Sequence, residues 1–185
     1  MGVAAQVDRC VGGGRGAPVR VSGSAARQVD LCGTAPATNP LLKGLAIGAI
    51  ADATHAAGGL LVVDNTFASP YLQQPLELGA DLVVHSTTKY IGGHGNALGG
   101  AVTDTGLFDW TRFSNIYDNY KNAKPALWGM LQIRKKGLRD VGSTLAAEPA
   151  HRLATGAETL ALRMEKSSDN ALQLARFLAG HPKVT

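Results

Sequence analysis

The stretch of sequence that decides the fold runs from residue 60 to residue 96 and reads LLVVDNTFASPYLQQPLELGADLVVHSTTKYIGGHGN. It contains two short continuous apolar runs, LLVVD at 60–64 and DLVVH at 81–85, and such runs are typical of strands that are covered on both faces. Ahead of the first run, apolar residues recur at helical spacing from Leu42 to Ala53. This alternation of helical and strand patterns predicts an α/β layer with a parallel core.

Two further elements complete the predicted layer. A short helix is predicted from Tyr71 to Leu78, because Pro70 suits a first helical turn and Pro75 limits the length. A third strand is predicted at 97–103, where the sequence reads ALGGAVT. The predicted order from the first helix onward is therefore helix, strand, helix, strand, strand.

A long amphipathic helix is predicted from Glu158 onward. Its apolar stripe follows the helical period and consists of Leu160, Met164, Ser167, Ala171, Leu174 and Leu178. Met164 and Phe177 are expected in the core, because residues of these types are more often buried than chemically active.

The composition is that of a globular protein. The 185 residues include 18 Lys or Arg and 14 Asp or Glu, so the formal net charge is +4. Hydrophobic residues make up 45% and charged residues 17%, which is too apolar for a disordered chain, and no apolar run is long enough to predict a membrane span. No secretory signal is recognisable at the start, and we therefore expect a cytoplasmic location.

Residues 1–37 have a different character from the rest of the chain. They are rich in Gly, Ala and Arg and show neither strand alternation nor a helical period, so no core element is predicted there. Cys10 and Cys32 lack C-x-x-C spacing and are interpreted as incidental thiols. Gly12–Ala17 formally fits a dinucleotide-binding G-x-G-x-x-A motif, but Pro18 stands where the required helix would begin.

Polar side chains follow the two apolar runs, at the point where each predicted strand ends. Asp64 ends the first run, and residues 85–96 bring together hydroxyls, Lys89 and a Gly-rich turn. Ligands of open α/β sheets bind beyond the carboxyl ends of the strands, so we expect the site here. Hydroxyls and backbone N–H groups suit a phosphate, a lysine in such a place suits Schiff-base chemistry, and Asp64 suits the ring nitrogen of a pyridine cofactor.

Other readings of these residues have weaker support. Asp64, His85 and His94 offer a set of metal-binding side chains, but no metal motif such as H-E-x-x-H or C-x-x-C accompanies them, and no metal is predicted. A nucleotide-binding P-loop is disfavoured as well, because Lys89 lacks the preceding G-x-x-x-x-G.

A basic segment raises the possibility of nucleic-acid binding. Six cations and no acid occur between residues 121 and 139. Basic helices do contact phosphates, but only Trp128 provides an interleaved aromatic and no base-reading motif is present. A solvated or subunit-facing helix is therefore the favoured interpretation, and no nucleic-acid or membrane partner is predicted.

Three motifs occur in an order that resembles a known enzyme family. They are TNPLLK at 38–43, VDNTF at 63–67 and DLVVHSTTKYIGGHG at 81–95. Together they resemble the Cys/Met-metabolism (trans-sulfuration) family of enzymes that depend on pyridoxal 5'-phosphate (PLP). The similarity extends over residues 38–185.

The resemblance implies a role for five residues. Lys89 is implied as the Schiff-base lysine, Asp64 as the partner of the pyridine nitrogen, and Ser86 and Thr88 as phosphate ligands. Asn39 is implied as a contact near the cofactor and the substrate carboxylate. The implied cofactor is PLP, and the implied substrate is a small amino acid.

The resemblance also implies a fold and a division of the chain. The family has the fold type I, aspartate aminotransferase-like architecture, with a large α/β domain around a mixed seven-stranded sheet and a smaller C-terminal domain. Residues 1–37 are expected to form an atypical lead outside the core, 38–157 part of the large domain, and 158–185 the inter-domain helix and the start of the small domain. The chain is expected to be truncated at both ends.

The implied reaction is a replacement at the γ-carbon of an O-acyl-homoserine by a thiol or sulfide. Two alternatives stay open, namely cleavage of a C–S bond by a cystathionine lyase and a non-catalytic fragment with an incomplete PLP site. Family members are usually homotetramers with shared active sites. The residues that would cross between subunits are not recognisable ahead of TNPLLK.

Overall fold

The computed structural model describes residues 31–34 and 44–184. Four strands form one sheet in the order β1-β2-β3-β4. They are β1 (Leu31–Thr34), β2 (Leu60–Asp64), β3 (Leu82–Ser86) and β4 (Gly100–Asp104). The first three run parallel, and β4 is antiparallel to β3.

The two apolar runs form the neighbouring strands β2 and β3, which confirms the sequence prediction. The register pairs Val62 with Leu82 and Asp64 with Val84. The chain between these strands passes through helical turns, as a parallel connection requires. The predicted third strand is present but starts later than predicted, at Gly100, and it pairs antiparallel because residues 87–99 turn back without a crossover helix.

The strand β1 corrects the expectation that residues 1–37 contain no sheet element. Its four residues pair in parallel with β2, from Leu31 opposite Leu60 to Thr34 opposite Val63. A four-residue strand is too short to show a period in the sequence, and its partner β2 supplies the pairing that the sequence pattern could not reveal. The correction concerns Leu31–Thr34 only.

The helix α1 (Ile47–Ala56) covers one face of the sheet. It ends before Gly58, whose φ of 79° suits a glycine at a helix terminus. The core on this face consists of Ile47, Ile50, Ala51, Leu61, Val63, Ala80 and Val83. Burying an aliphatic side chain of this kind stabilises the fold by about 1.5–3 kcal/mol.

The opposite face of the sheet is covered by aromatic side chains from the segments after β4. The cluster consists of Leu60, Leu82, Trp110, Ile116 and Tyr120. Its aromatic members come from two 3₁₀ turns, Trp110–Arg112 and Asp118–Tyr120, and a third 3₁₀ turn follows at Pro125–Leu127. With both faces covered, β2 and β3 form the buried centre of the layer, as their continuous apolar sequences predict.

The predicted helix between β2 and β3 is split into two short pieces. They are α2 (Ser69–Leu72) and a 3₁₀ turn (Pro75–Leu78), and Gln73 between them is extended with φ −149° and ψ 139°. Pro75 has no N–H to donate, and its ring disfavours the helical conformation in the residue before it. A continuous helix over Tyr71–Leu78 is therefore wrong.

The C-terminal part of the described chain is helical. The helix α3 (Trp128–Leu131) continues into a π-helical segment (Gln132–Arg139), and α4 (Ala147–Ala157) and α5 (Leu160–Ala179) follow. The long helix α5 confirms the prediction from Glu158 onward. Among the described helices, none has both the length and the apolar character needed to cross a membrane.

Only the first part of α5 is packed against the sheet domain. Met164 is buried, as predicted, with 3% of its surface exposed. The expectation that Phe177 lies in the core is wrong, because 65% of its surface is exposed, and Leu174 of the predicted apolar stripe is 57% exposed. The reason is that no described residue covers the second half of this helix.

Candidate functional site

The ends of β2 and β3 bring the sequence-predicted polar residues to one edge of the sheet. Asp64 is the last residue of β2, and Ser86 is the last residue of β3. The strands are parallel and Asp64 pairs with Val84, so both residues lie at the carboxyl edge, with Lys89 three residues further along the chain. This is the edge at which open α/β sheets bind ligands.

A side chain that sequence reasoning missed joins the two strand ends. Thr66 is buried, and its Oγ1 accepts a hydrogen bond from the backbone N–H of Ser86 at 2.8 Å. The backbone N–H of Thr66 in turn donates to Oδ1 of Asp64 at 3.0 Å. Asp64, Thr66 and Ser86 therefore form one continuous hydrogen-bonded unit. The signal in the sequence was the D-x-T spacing within VDNTF.

A buried polar group lies next to Asp64. Nδ2 of Asn65 donates to the carbonyl oxygens of Ser69 at 3.0 Å and Gln73 at 2.8 Å, and it lies 3.3 Å from Nε2 of His85. Burial lowers the pKa of His85 below its ordinary value, while the nearby Asp64 carboxylate acts in the opposite direction. The two carbonyl oxygens use both protons of the Asn65 amide, so these bonds fix the turn after β2 without adding a charge.

The turn is held at one further point by a strained residue. Ser69 has a φ of 60°, a conformation that non-glycine residues seldom adopt, and it is fully buried. Its carbonyl is bonded by Asn65, and its Oγ accepts from the N–H of Tyr71 at 3.3 Å. Such strain persists only where the surroundings hold it, and it concentrates near functional sites.

Lys89 lies in a tight turn directly after β3. Its backbone N–H donates to the carbonyl of Ser86 at 3.2 Å, and its own carbonyl accepts from Gly93 N–H at 2.8 Å. Gly92 N–H closes a second bond to the carbonyl of Thr87 at 2.8 Å. The backbone of Lys89 is thus ordered by hydrogen bonds on both sides, while its side chain is exposed at the open face of the sheet edge.

The three hydroxyls next to Lys89 have different surroundings. Oγ1 of Thr88 accepts from Gly99 N–H at 3.0 Å and donates to the Gly99 carbonyl at 3.2 Å, so its one proton is in use. Ser86 is half-buried, and its hydroxyl is bonded by no residue that the structure describes. Oγ1 of Thr87 is buried without a hydrogen-bond partner in the described chain. The arrangement leaves Ser86 as the hydroxyl best placed to donate to a ligand.

Four further sequence hypotheses concern other residues. Nδ1 of His94 lies 2.6 Å from the carbonyl oxygen of Gly92, and within 31–34 and 44–184 no three His, Cys, Asp or Glu side chains come together as a metal site would require. Asn39 and the Gly12–Ala17 motif lie outside the described residues. The cations Arg134, Lys135, Lys136 and Arg139 are exposed on the π-helical segment.

A cavity of about 380 Å³ lies at the other edge of the sheet, not at the candidate site. Its lining includes His55, Asp81 and Arg112. Nε2 of His55 is 2.8 Å from Oδ2 of Asp81, which also accepts from Leu61 N–H at 2.8 Å, so His55 and Asp81 are engaged in structural bonds. The candidate site at Lys89 is an open surface in the described part of the chain.

The donor set at the carboxyl edge fits a phosphorylated pyridine aldehyde. An amine such as that of Lys89 suits the carbonyl carbon, a carboxylate such as that of Asp64 suits a ring N–H, and a hydroxyl such as that of Ser86 suits a phosphate. These groups lie at the ends of two adjacent parallel strands and in the turn that follows the second strand.

Comparison with known proteins gives a consistent result. The chain is 40% identical over 166 residues to an O-acetyl-L-homoserine sulfhydrylase of Leptospira meyeri, covering 79% of this chain and 37% of that protein. It is 41% identical over 159 residues to a homocysteine synthase of Schizosaccharomyces pombe, again covering 79% of this chain and 37% of that one. The chain therefore spans about 37% of the length of these relatives.

A solved structure shares the fold. The crystal structure of cystathionine gamma-lyase from Lactobacillus plantarum complexed with L-serine superposes with a TM-score of 0.69 at 35% identity, covering 88% of this chain and 37% of that one. The implied fold type I large-domain architecture is thereby confirmed for a partial chain. The family model described as Cys/Met metabolism PLP-dependent enzyme matches residues 25–185. The chain belongs to the Cys/Met metabolism family of PLP-dependent enzymes.

Proposed function

We propose that this protein binds PLP at the carboxyl edge of β2 and β3 and replaces the γ-substituent of an O-acyl-homoserine by a thiol or sulfide. The family match and the names of two relatives, a sulfhydrylase and a homocysteine synthase, support the reaction class. The observation that carries the proposal is the Asp64–Thr66–Ser86 unit, because it holds a carboxylate, a free hydroxyl and the turn of Lys89 at one edge.

Each residue has a distinct part in this proposal. Lys89 binds the cofactor through its amine, Asp64 holds a proton on the ring nitrogen, and the Ser86 hydroxyl donates to the phosphate. Thr88 is proposed as a phosphate contact that must first give up its donor bond to Gly99. Asn39 is proposed as a contact near the cofactor and the substrate carboxylate.

The bound cofactor supplies an electron sink for the substrate carbon that carries the amine. Once the substrate amine has replaced Lys89 on the cofactor, the freed Nζ of Lys89 would be the base that removes the proton from Cα and later returns it. A proton would also leave Cβ, which allows the acyl group to leave Cγ as a carboxylate anion. The sulfur of the thiol or sulfide would then form the new bond to Cγ while losing its proton, and the Cβ proton would be restored. Atoms and charges balance, and no oxidant is needed.

A cystathionine lyase activity is the second candidate. It is favoured by the fold similarity to the cystathionine gamma-lyase of Lactobacillus plantarum, whose TM-score is 0.69. Cleavage of a C–S bond would use Lys89 as the same base at Cα. The two activities differ in the substrate they accept at the γ-carbon, so substrate choice separates them.

The wider organisation is proposed from the same resemblance. Residues 38–157 are proposed as part of the cofactor-binding domain, and 158–185 as the helix that leads to a smaller domain. The exposed apolar second half of α5 supports a further packing partner for this helix. A cytoplasmic location and a homotetramer are also proposed.

A substrate panel tests the reaction. Purified protein is incubated with PLP and then with O-acetyl- or O-succinyl-homoserine plus sulfide, or with cystathionine alone. Formation of homocysteine from an O-acyl-homoserine supports the proposal, and release of cysteine from cystathionine supports the lyase. If the protein binds PLP but consumes none of these compounds, the non-catalytic alternative is favoured.

A further inference from the structure

Arg163, near the start of α5, bonds to the turn that follows Lys89. Its Nη1 donates to the carbonyl oxygen of Tyr90 at 2.5 Å, and its Nη2 donates to the carbonyl oxygen of Ile91 at 3.2 Å. The Nη2 group also donates to the carbonyl of Gly156 at 2.7 Å, near the end of α4. One guanidinium therefore joins the lysine turn to two helices that lie more than 60 residues further along the chain.

The turn depends on this guanidinium for its hydrogen bonding. The carbonyls of Thr87 and Lys89 are bonded by backbone N–H groups within the turn, at 2.8 Å each. The carbonyls of Tyr90 and Ile91 are bonded by Arg163 instead. The bond to Tyr90 is exposed, where water can replace the guanidinium, but the bond to Ile91 is partly buried, so loss of Arg163 would leave the Ile91 carbonyl without its described partner.

Close packing shows that the contact is built into the turn. A Cβ on Gly93, whose φ is 72°, would lie 2.4 Å from Nη1 of Arg163, and a Cβ on Gly156 would lie 2.0 Å from the carbonyl oxygen of Gly92. A side chain at Gly156 would meet backbone, and one at Gly93 would displace the guanidinium of Arg163. The turn therefore packs closely against both α4 and Arg163.

Charge pairing does not explain the position of Arg163. Among the described residues no carboxylate lies within ion-pair distance of it, and its Nε donates to Oγ1 of Thr159 at 3.1 Å. The N–H groups of Arg163 donate to three carbonyls and one hydroxyl, so the planar guanidinium is held in one orientation and fixes the positions of these acceptors. Two residues further along α5, Glu165 accepts a hydrogen bond from the hydroxyl of Tyr71, in the segment after β2.

We propose that Arg163 is a positioning residue, which fixes the Tyr90–Ile91 turn and thereby orients Lys89 toward the cofactor. This inference rests on the proposed PLP function for its consequence but not for its geometry. The helix α5 then contacts the chain after both strands, through Arg163 at the turn after Lys89 and through Glu165 at Tyr71 in the segment after β2. Rotation or release of α5 would loosen the turn that follows Lys89.

The test compares three variants of the full chain. Arg163→Ala removes the guanidinium, Arg163→Lys keeps the charge but not the fork, and Arg176→Ala is the matched control on the exposed part of the same helix. Hydrogen exchange of residues 88–94 is measured without cofactor, and visible circular dichroism per bound cofactor is measured with PLP. The second readout reports the orientation of the bound group and does not respond to overall stability while the protein stays folded.

We expect exchange in residues 88–94 to become about tenfold faster in Arg163→Ala, since hydrogen bonds to a charged group are lost. We expect the dichroism to fall at least about twofold, with a smaller effect in Arg163→Lys and none in Arg176→Ala. If Arg163→Ala does not fold, the same two measurements are compared between Arg163→Lys and Arg176→Ala. Faster exchange and weaker dichroism in Arg163→Lys alone would then support the inference, and equal values in the two variants would overturn it.

Unchanged exchange and unchanged dichroism in folded Arg163 variants would overturn the inference and leave the proposed function intact. Faster exchange in a protein that binds no PLP even as wild type would overturn the proposed function, while the positioning of the turn by Arg163 would be supported. The two failures are thus distinguishable. Faster exchange with unchanged dichroism would overturn the link from the turn to the cofactor.

Discussion

The hydroxyl oxygen of Thr66 accepts a hydrogen bond from the backbone N–H of Ser86 at 2.8 Å, and this bond joins the ends of two parallel strands. Thr66 and Ser86 are 20 residues apart in the chain, and their bond lies at the sheet edge where Asp64 and Lys89 also lie. The relative position of the proposed ring-nitrogen partner and the proposed lysine depends on it. The first prediction concerns this bond.

Replacement of Thr66 by Val removes the acceptor but keeps the shape. We expect Thr66→Val to lower the free energy of unfolding by about 1–3 kcal/mol, because the partly buried Ser86 N–H loses its partner. Thr66→Ser keeps the oxygen and serves as the control, with a smaller loss. Urea unfolding of the three proteins measures the difference. Equal stability of the Val and Ser variants would show that the bond does not hold the strands.

The contact between α4 and the lysine turn predicts a large difference between two glycine substitutions. A Cβ at Gly156 would lie 2.0 Å from the carbonyl oxygen of Gly92, whereas a Cβ at Gly137 would meet nothing within 4 Å. We expect Gly156→Ala to destabilise by about 1–3 kcal/mol or more, because backbone must move. Gly137→Ala is the control and should be neutral or stabilising by up to about 1 kcal/mol, from helix propensity. Similar thermal midpoints for the two variants would contradict the packing.

The buried His85 predicts a loss of stability in acid. Burial lowers its pKa in the folded protein, and Asp64 opposes this shift. The unfolded chain therefore takes up the proton more readily, so the His85 contribution is complete above about pH 6.5 and is lost as the pH falls toward the lower folded pKa. We expect His85→Gln to flatten the dependence of unfolding free energy on pH below about 6.5. An unchanged slope would show that His85 is not the group responsible.

The same pair of residues gives a prediction that nuclear magnetic resonance can check. Asp64→Asn removes the carboxylate whose charge raises the pKa of His85. Desolvation then acts unopposed, and we expect the pKa of His85 to fall further in this variant. Titration of the His85 ring signals measures the shift. A higher pKa in Asp64→Asn would contradict the electrostatic account of the turn.

The sequence was sufficient to predict the centre of the fold and the sheet edge at which Asp64, Ser86 and Lys89 lie. The apolar runs at 60–64 and 81–85 predicted β2 and β3, and the polar residues at their ends predicted the edge of the site. Both are local signals, since a strand buried on two faces needs a continuous apolar run. The family followed from motifs that surround Lys89.

Features that depend on distant partners could not be predicted in this way. The hydrogen bonds of Thr66 and Arg163 could be identified only in the structure. The partner of Thr66 lies 20 residues away in the chain, and the Tyr90 partner of Arg163 lies 73 residues away. The prediction of one helix over Tyr71–Leu78 was wrong because Pro75 disfavours the helical conformation in the residue before it. Phe177 matched a core pattern, but burial depends on what packs against it, and its surface is 65% exposed.

The central claim is that Lys89 is the residue that binds PLP. The direct measurement is reduction with borohydride after incubation with PLP, followed by peptide mass mapping to locate the fixed pyridoxyl group. We predict that the group is found on Lys89, that Lys89→Ala abolishes the labelling, and that Lys166→Ala, which changes an exposed lysine of α5, does not. A label on another lysine, or no label on the wild-type chain, would contradict the account.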